Sequence, residues 1–418
     1  MAPISLAMLA LAETSNAQAQ PSEEAVTRPI LGLVLLLALA YVAGRPELAA
    51  FEKKLSLNPL VTTGLVFVLL GMLAASGHVG VLTDSVIKAI GPIVPLGLGW
   101  LGFRVGFNYD RRLLANPPSG ASLFSATLLP VLFTIAGSAV LIAFLNPGAF
   151  SHPETLRDVL LIGTAGAMTS LASAHMALKG PAAERLQDFV KFEQGLGTIL
   201  LMLIAVYFRP QGEVIAWQLP PLGWLFVTVG VGFIMGSLAY GLFRHAAPGP
   251  PFIVLLLGLI AMTAGMASFL RLAVIPVCAL AGALVSELPG AWKDQVREVL
   301  IHMERPVFFI LLVVSGALWR PGEWQGWAWM GILVAARLAG KWVAAWLIGR
   351  REPHLLLEEE RRALTLAPIG TFAIAIVITA RDLYPGARVP WMLTAAVGGA
   401  VVSEIILQAA KRARPATE

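Results

Sequence analysis

One cysteine, Cys278, lies within an apolar run of this 418-residue chain. A single thiol excludes an intrachain disulfide, a cysteine-based zinc site and a thiolate-held cluster. The six histidines are scattered without metal-ligand spacing, so no resident metal is expected. Charge is scarce as well: Asp, Glu, Lys and Arg make up 13% of the residues, against about 25% in a water-soluble globular protein. No nucleophile stands with a base beside it, and neither an enzyme nor a cofactor is expected. The sequence at 97–102 fits GxGxxG, but it lies inside an apolar run with no preceding strand, which excludes the dinucleotide reading. A net charge of +5 and a pI near 9.5 would suit nucleic acid. The basic residues, however, fall in short loops between apolar runs, where topogenic charge accounts for them, so no nucleic-acid partner is expected.

Apolar length is what the chain has in abundance. Hydrophobic residues make up 57% and the mean hydropathy is +0.77, which defines an all-α, multi-pass membrane protein. Runs of spanning or near-spanning length fall at 29–44, 60–76, 86–107, 121–145, 157–178, 186–208, 221–243, 251–268, 271–288, 304–319, 327–349, 363–380 and 389–410, about 13 transmembrane helices. Residues 1–28 form a tail or signal-like segment; a short apolar core and small residues at AQA resemble a leader, but no Lys or Arg precedes them. Residues 29–410 form the transmembrane domain and 411–418 a polar tail. Of the 30 basic residues, 20 fall in one set of alternate loops and 8 in the other, namely Arg28, Lys88, Arg157, Arg209, Arg271, Arg320, Arg381 and Arg388. The richer side is cytoplasmic by the positive-inside rule, with the N-terminus outside and the C-terminus inside. Trp319, Trp324, Trp327 and Trp329 read as an aromatic belt at an outer loop.

Arg337 and Lys341, four residues apart, are the two basic residues left deep in the membrane. They can project from one helix face. The apolar stretch Lys191–Phe208 carries one carboxylate, Glu193, near its start. A charge in hydrocarbon costs about 2.5–3.5 kcal/mol even on lenient scales, so it faces the interior with a partner and marks an ion or proton route. Glu193 with Arg337 or Lys341 is that pair, either as a coupling site or as an ion pair that holds two helices together. Two spans are poor continuous helices. Residues 161–177 pack Gly163, Gly166, Thr169, Ser170 and Ser173 into the middle, and 364–378 hold Pro368, Gly370 and Thr371 near the start. Broken backbone at membrane depth lines a cavity or is buried. Two such spans, seven apart, each before a span with an acid (Glu193, then Glu404), suggest inverted repeats. Gly102 with Gly106 and Gly232 with Gly236 read as helix-packing pairs. Glu304 with Arg305 reads as an interfacial pair, Glu358–Glu360 as a solvated linker, and His175 and His302 as interfacial.

In order along the chain, FEKKLSLNPLVTTGLVFVLLGMLAAS, IGPIVPLGLGWLGFRVGFNYDRRLL, GTAGAMTSLAS, RPVFFILLVVSGALW and ARLAGKWVA resemble segments of the cation:proton antiporter superfamily, the sodium/proton exchangers and their potassium-linked relatives. The resemblance implies two crossed broken helices in a core domain, a dimerisation domain, alternating access and a homodimer, in a membrane that would be a bacterial inner membrane. Glu193 and Arg337 match the carboxylate and arginine of one branch, and Lys341 the lysine of the other. One departure is large. Relatives place an Asp, often after Asn or Asp, in the sixth span, whereas one register puts Gly197 and Thr198 on the Asn-Asp pair, and the segment Gln194 to Thr198 contains no acid. Three readings follow: exchange of a monovalent cation, Na⁺ or K⁺, for protons with Glu193 as the coupling acid and Thr169, Ser170, Thr198, Gly370 and Thr371 lining the cavity; altered coupling, as a uniporter, a channel-like path or a carrier of another solute; or a membrane sensor or scaffold that does not transport.

Overall fold

A computed structural model describes residues 34, 65–76, 93–109, 120–170, 181–209, 218–246, 249–384 and 388–412. The expected tail 1–28, nearly all of the first span 29–44, His175, and residues 413–418 of the C-terminal tail lie outside them. Among the described residues the chain is all-helical. Thirteen α-helices follow in order: α1 Leu65–Ala75, α2 Ile93–Phe107, α3 Gly120–Leu145, α4 Pro153–Ala167, α5 Pro181–Tyr207, α6 Pro221–Phe243, α7 Pro250–Phe269, α8 Val274–Glu287, α9 Lys293–Leu318, α10 Trp324–Arg351, α11 Glu358–Leu366, α12 Thr371–Leu383 and α13 Val389–Arg412. Seven are long and apolar enough to cross a bilayer, and α1, α2 and α8 are shorter apolar helices. Helices α4, α6 and α7 start on proline. Its missing N–H is no loss there, because the first-turn donors have no intrahelical acceptor.

The helices pack in two groups. In one, α8 lies against α2 and α6, α9 against α1, and α7 against α2; in the other, α10 packs on α3 and α13, α4 on α3 and α12, and α11 beside α10. Helix α5 runs between them, touching α4 and α3 on one side and α6, α8 and α2 on the other. Glycine sets the closeness of the first group. A Cβ on Gly102 or Gly106 would collide with the carbonyls of Ile275 or Ala279 in α8, and one on Gly282 with that of Phe103. Gly236 meets the Ala281 carbonyl and the Leu284 side chain of α8, and Gly232 the Leu280 side chain and the Val277 carbonyl. All four expected packing glycines therefore lie at helix–helix contacts, where the missing Cβ lets the helices approach closely.

Four expectations need correction. The tenth span is not a short run from 304 but a 26-residue helix, Lys293–Leu318, that continues through Pro306; its amphipathic first turns are too polar to register as apolar sequence. Glu304 pairs with Arg104 of α2 at 2.6 Å. Glu358 and Glu359 are exposed as expected, but the three glutamates open α11 rather than a linker, and the Glu360 carboxylate is buried and accepts the Leu357 N–H at 2.9 Å. That carboxylate caps an otherwise unsatisfied donor. Trp329 is no belt residue. It is 1% exposed and its indole donates to Ser138 Oγ at 2.9 Å, while Trp324 and Trp327 are exposed as expected.

Candidate functional site

Both spans read as poor helices are broken where they cross. Helix α4 ends at Ala167, and Met168 turns to extended backbone. Thr169 then forms an antiparallel bridge with Ile369, between α11 and α12. The Ser170 N–H donates to the Pro368 carbonyl at 2.9 Å, and the Gly370 N–H to the Met168 carbonyl at 2.8 Å. Ser403 Oγ of α13 accepts the Ile369 N–H at 3.0 Å. Each break thus satisfies the other's orphaned backbone groups, which hydrocarbon cannot do. Pro368 has no N–H to lose, and Gly370 allows the approach: a Cβ there would sit 2.6 Å from the Thr169 carbonyl oxygen.

The Thr169 side chain is wholly buried in this crossing. Its hydroxyl donates to Glu193 Oε2 at 2.7 Å and accepts from Arg337 Nη2 at 3.0 Å and Lys341 Nζ at 3.1 Å. One donor and two acceptor positions are all that a hydroxyl has. Lys341 Nζ lies 3.0 Å from both Glu193 oxygens. Arg337 Nη2 also donates to the Pro368 carbonyl at 3.3 Å. The three ionisable groups are almost completely buried, at 2% for Glu193, 2% for Arg337 and 0% for Lys341. Lys341 Nζ is thus within hydrogen-bond distance of three oxygens, and two basic side chains converge on one carboxyl group. Arg337 reaches that carboxylate only through Thr169.

The other expected residues divide. Gly370 and Ser170 hold the bridge through their backbones, and Thr371 opens α12 without joining the hydrogen bonds of the cluster. Thr198 is buried, but its hydroxyl donates to the Gln194 carbonyl of its own helix at 2.8 Å. Glu404, the counterpart acid of the second repeat, accepts from Gln408 at 3.2 Å, and the bonds of Arg337 and Lys341 run elsewhere. His302 is exposed, as expected. Met168 and Ser403 were not singled out by sequence: a methionine in an apolar run signals only packing, and a single serine beside Glu404 adds no signal of its own. Met168 matters because its sulfur fills the space beside Gly197, where a Cβ would collide with it. Installing Asn at Gly197 is therefore expected to cost about 1–3 kcal/mol in overpacking. Met168→Ala, which alone leaves a cavity, should suppress that cost in the double variant. Thermal transitions of the four proteins in detergent check this; strict additivity of the two changes would contradict it.

Residues 48–409 match the family described as sodium/hydrogen exchanger, transmembrane. The fold is similar to that of the sodium proton antiporter MjNhaP1 from Methanocaldococcus jannaschii, in its pH 8 structure, with a TM-score of 0.63 at 15% identity, covering 93% of this chain and 99% of that one. An electron-microscopy map structure of the same antiporter gives 0.58 at 14% identity, with 91% and 96% covered. No curated protein matches the chain.

Proposed function

Because the chain belongs to the sodium/hydrogen exchanger family, we propose that it is a secondary transporter that exchanges a monovalent cation, Na⁺ or K⁺, for protons across the bilayer, with Glu193 as the coupling carboxylate. The observation that carries this reading is the oxygen cage around Lys341 Nζ: Glu193 Oε1 and Oε2 at 3.0 Å and Thr169 Oγ1 at 3.1 Å. A carboxylate and a hydroxyl are hard oxygen ligands of the type that replace the water around an alkali cation. When Lys341 releases its proton to water on the side that is open and withdraws, the Glu193 carboxylate and the Thr169 hydroxyl take the metal ion in place of the ammonium; on the other side a proton from water restores the ammonium, which displaces the ion into that water. Each exchange substitutes one positive charge for another at one place, so the coupling is one for one and moves no net charge.

Access alternates by movement of the group built on α3, α4 and α10–α13 against the group built on α1, α2 and α6–α9. The single helix α5 between them, which carries Glu193, supports that division. The second group, with the early spans, supplies the homodimer interface. The C-terminus is cytoplasmic and residue 28 outside; reporter fusions at 28 and 411 should report opposite sides, and one shared side would reject this topology.

A non-transporting scaffold is the second reading, favoured by how completely Glu193, Thr169 and Lys341 satisfy one another. Proteoliposomes loaded with a pH dye separate the two. Proton movement in response to Na⁺ or K⁺ but not to choline supports exchange, and no response to any cation supports the scaffold. Thr198→Asp places a second carboxylate five residues beyond Glu193 and should change cation preference in the same assay if the cavity is a transport site.

A further inference from the structure

Helices α10 and α11, joined by residues 352–357, open a groove of about 470 Å³ between them on the molecular surface. Its α11 wall is one helix face, where Glu358, Arg361, Arg362 and Leu366 recur at helical spacing. Its α10 wall holds Trp342 and Trp346, one turn apart and 63% and 47% exposed. Indoles left open on a spanning helix face lipid or its interface. Both walls grade in the same direction. Arg350, Glu358, Arg361 and Arg362 stand at the end where α10 finishes and α11 starts, and Trp342 and Leu366 at the other. Arg350 and Trp342 are about 12 Å apart along α10 at 1.5 Å per residue, close to the depth of one hydrocarbon leaflet, about 15 Å. A free anion would use the charged end alone; an amphiphile uses both.

The charged end has cations to spare. Glu358, the acid that lines the groove, is paired with Arg362. Arg361 lies against the bare backbone of Gly349 in α10, and its Nε is buried without an acceptor among the described residues. Arg350 stacks on Trp346, its guanidinium carbon 4.4 Å from the ring centroid. Of the nearby acids, Glu360 caps its own helix, Glu352 accepts from Ser122 Oγ and Glu359 is exposed on the flank of α11; none of them lines the groove. We infer that the groove binds one anionic phospholipid, with its phosphate at Arg361 and Arg350 and an acyl chain along Trp346, Trp342 and Leu366. A zwitterionic lipid would bring an ammonium to an end whose acid Arg362 already holds. Basic clefts between spanning helices on the cytoplasmic side suit anionic headgroups, and the count of basic loop residues puts this end of α10 on that side. This inference goes beyond the exchange reading and does not rest on it, because it needs only a chain embedded in a bilayer.

The test uses the purified full-length chain in detergent without an ion gradient. It is titrated with phosphatidylglycerol, with phosphatidylethanolamine of identical acyl chains, or with inorganic phosphate, while native mass spectrometry counts retained lipids and thermal unfolding is followed. One phosphatidylglycerol should be retained, with a saturable rise in the transition temperature; phosphatidylethanolamine should be retained less, and phosphate should give no such rise. Arg361→Gln should weaken retention by about tenfold, the value of one charge-assisted contact. Trp342→Ala, which leaves every charge in place, should weaken it as well. Arg244→Gln removes an exposed charge at the end of α6 and should leave retention unchanged. Should Arg361→Gln not fold, the exposed Arg350→Gln takes its place with the same expected loss. Equal retention of the two lipids would overturn the inference, as would equal retention by wild type and the groove variants, or an equal loss in Arg244→Gln. A rise with phosphate as large as that with lipid would also overturn it and leave a site for a free anion.

Discussion

Glu193→Gln is expected to reduce cation-driven proton movement to the level of empty liposomes and to lower the yield of folded protein. The amide keeps the shape but removes the one negative charge that Lys341 contacts through both oxygens at 3.0 Å. Arg337 and Lys341, one turn apart, then face each other uncompensated, and removing one partner of a buried pair costs about 3–5 kcal/mol. Stability loss alone could silence flux, so the informative protein is the double variant Glu193→Gln with Lys341→Gln. It removes both members of the Glu193–Lys341 pair together, so that neither is left buried without the other, and should recover much of the folded yield. Because the residues touch, their effects are non-additive by design. Recovered folding with flux still absent assigns coupling to the pair. Flux that survives in a folded Glu193→Gln protein would remove Glu193 from the mechanism.

Gly370→Ala is the second large effect, and it acts through backbone. The added Cβ would lie 2.6 Å from the Thr169 carbonyl oxygen, 2.8 Å from its carbon and 2.9 Å from the Ser170 nitrogen, none of which can rotate away. The two broken segments must part. Overpacking strain is about 1–3 kcal/mol, and weakening the Gly370–Met168 and Ser170–Pro368 bonds adds about 0.5–1.5 kcal/mol each. Parting also draws Thr169 Oγ1 off Glu193 and both cations, so flux should fall with stability. Gly265→Ala is the matched control. It has nothing within 4 Å of the new Cβ and lies inside α7, where alanine favours the helix over glycine by about 1 kcal/mol. A raised transition for Gly265→Ala beside a lowered one for Gly370→Ala places the effect in the crossing; similar shifts in both would contradict it.

Much of this site was legible in the chain because its signals are local. An acid or a base inside an apolar run stands out wherever it packs, which singled out Glu193, Arg337 and Lys341. The second break was legible from Pro368 and Gly370, whose effects on a helix need no neighbours. The first was legible only as a weak region: Gly163 and Gly166 remain helical, and the chain opens at Met168 instead. The three glutamates at 358–360 illustrate the opposite limit. Their sequence suits solvent, but helix α11 needs a cap, and Glu360 is buried to supply it.

The sequence alone determined that this is an all-helical membrane protein, that two spans are interrupted, and that three charges are buried in apolar surroundings, because hydrophobic run length, helix breaking and desolvation act on each residue where it stands. Only the tertiary structure decided how those pieces meet. It placed Lys341, not Arg337, directly on Glu193, made the Thr169 hydroxyl the hub of all three, and sent Thr198 back onto its own helix. These contacts join residues 148, 168 and 172 positions apart in the chain. Their geometry follows from how closely α4, α5, α10 and the two breaks pack, to within ångströms that no local pattern encodes.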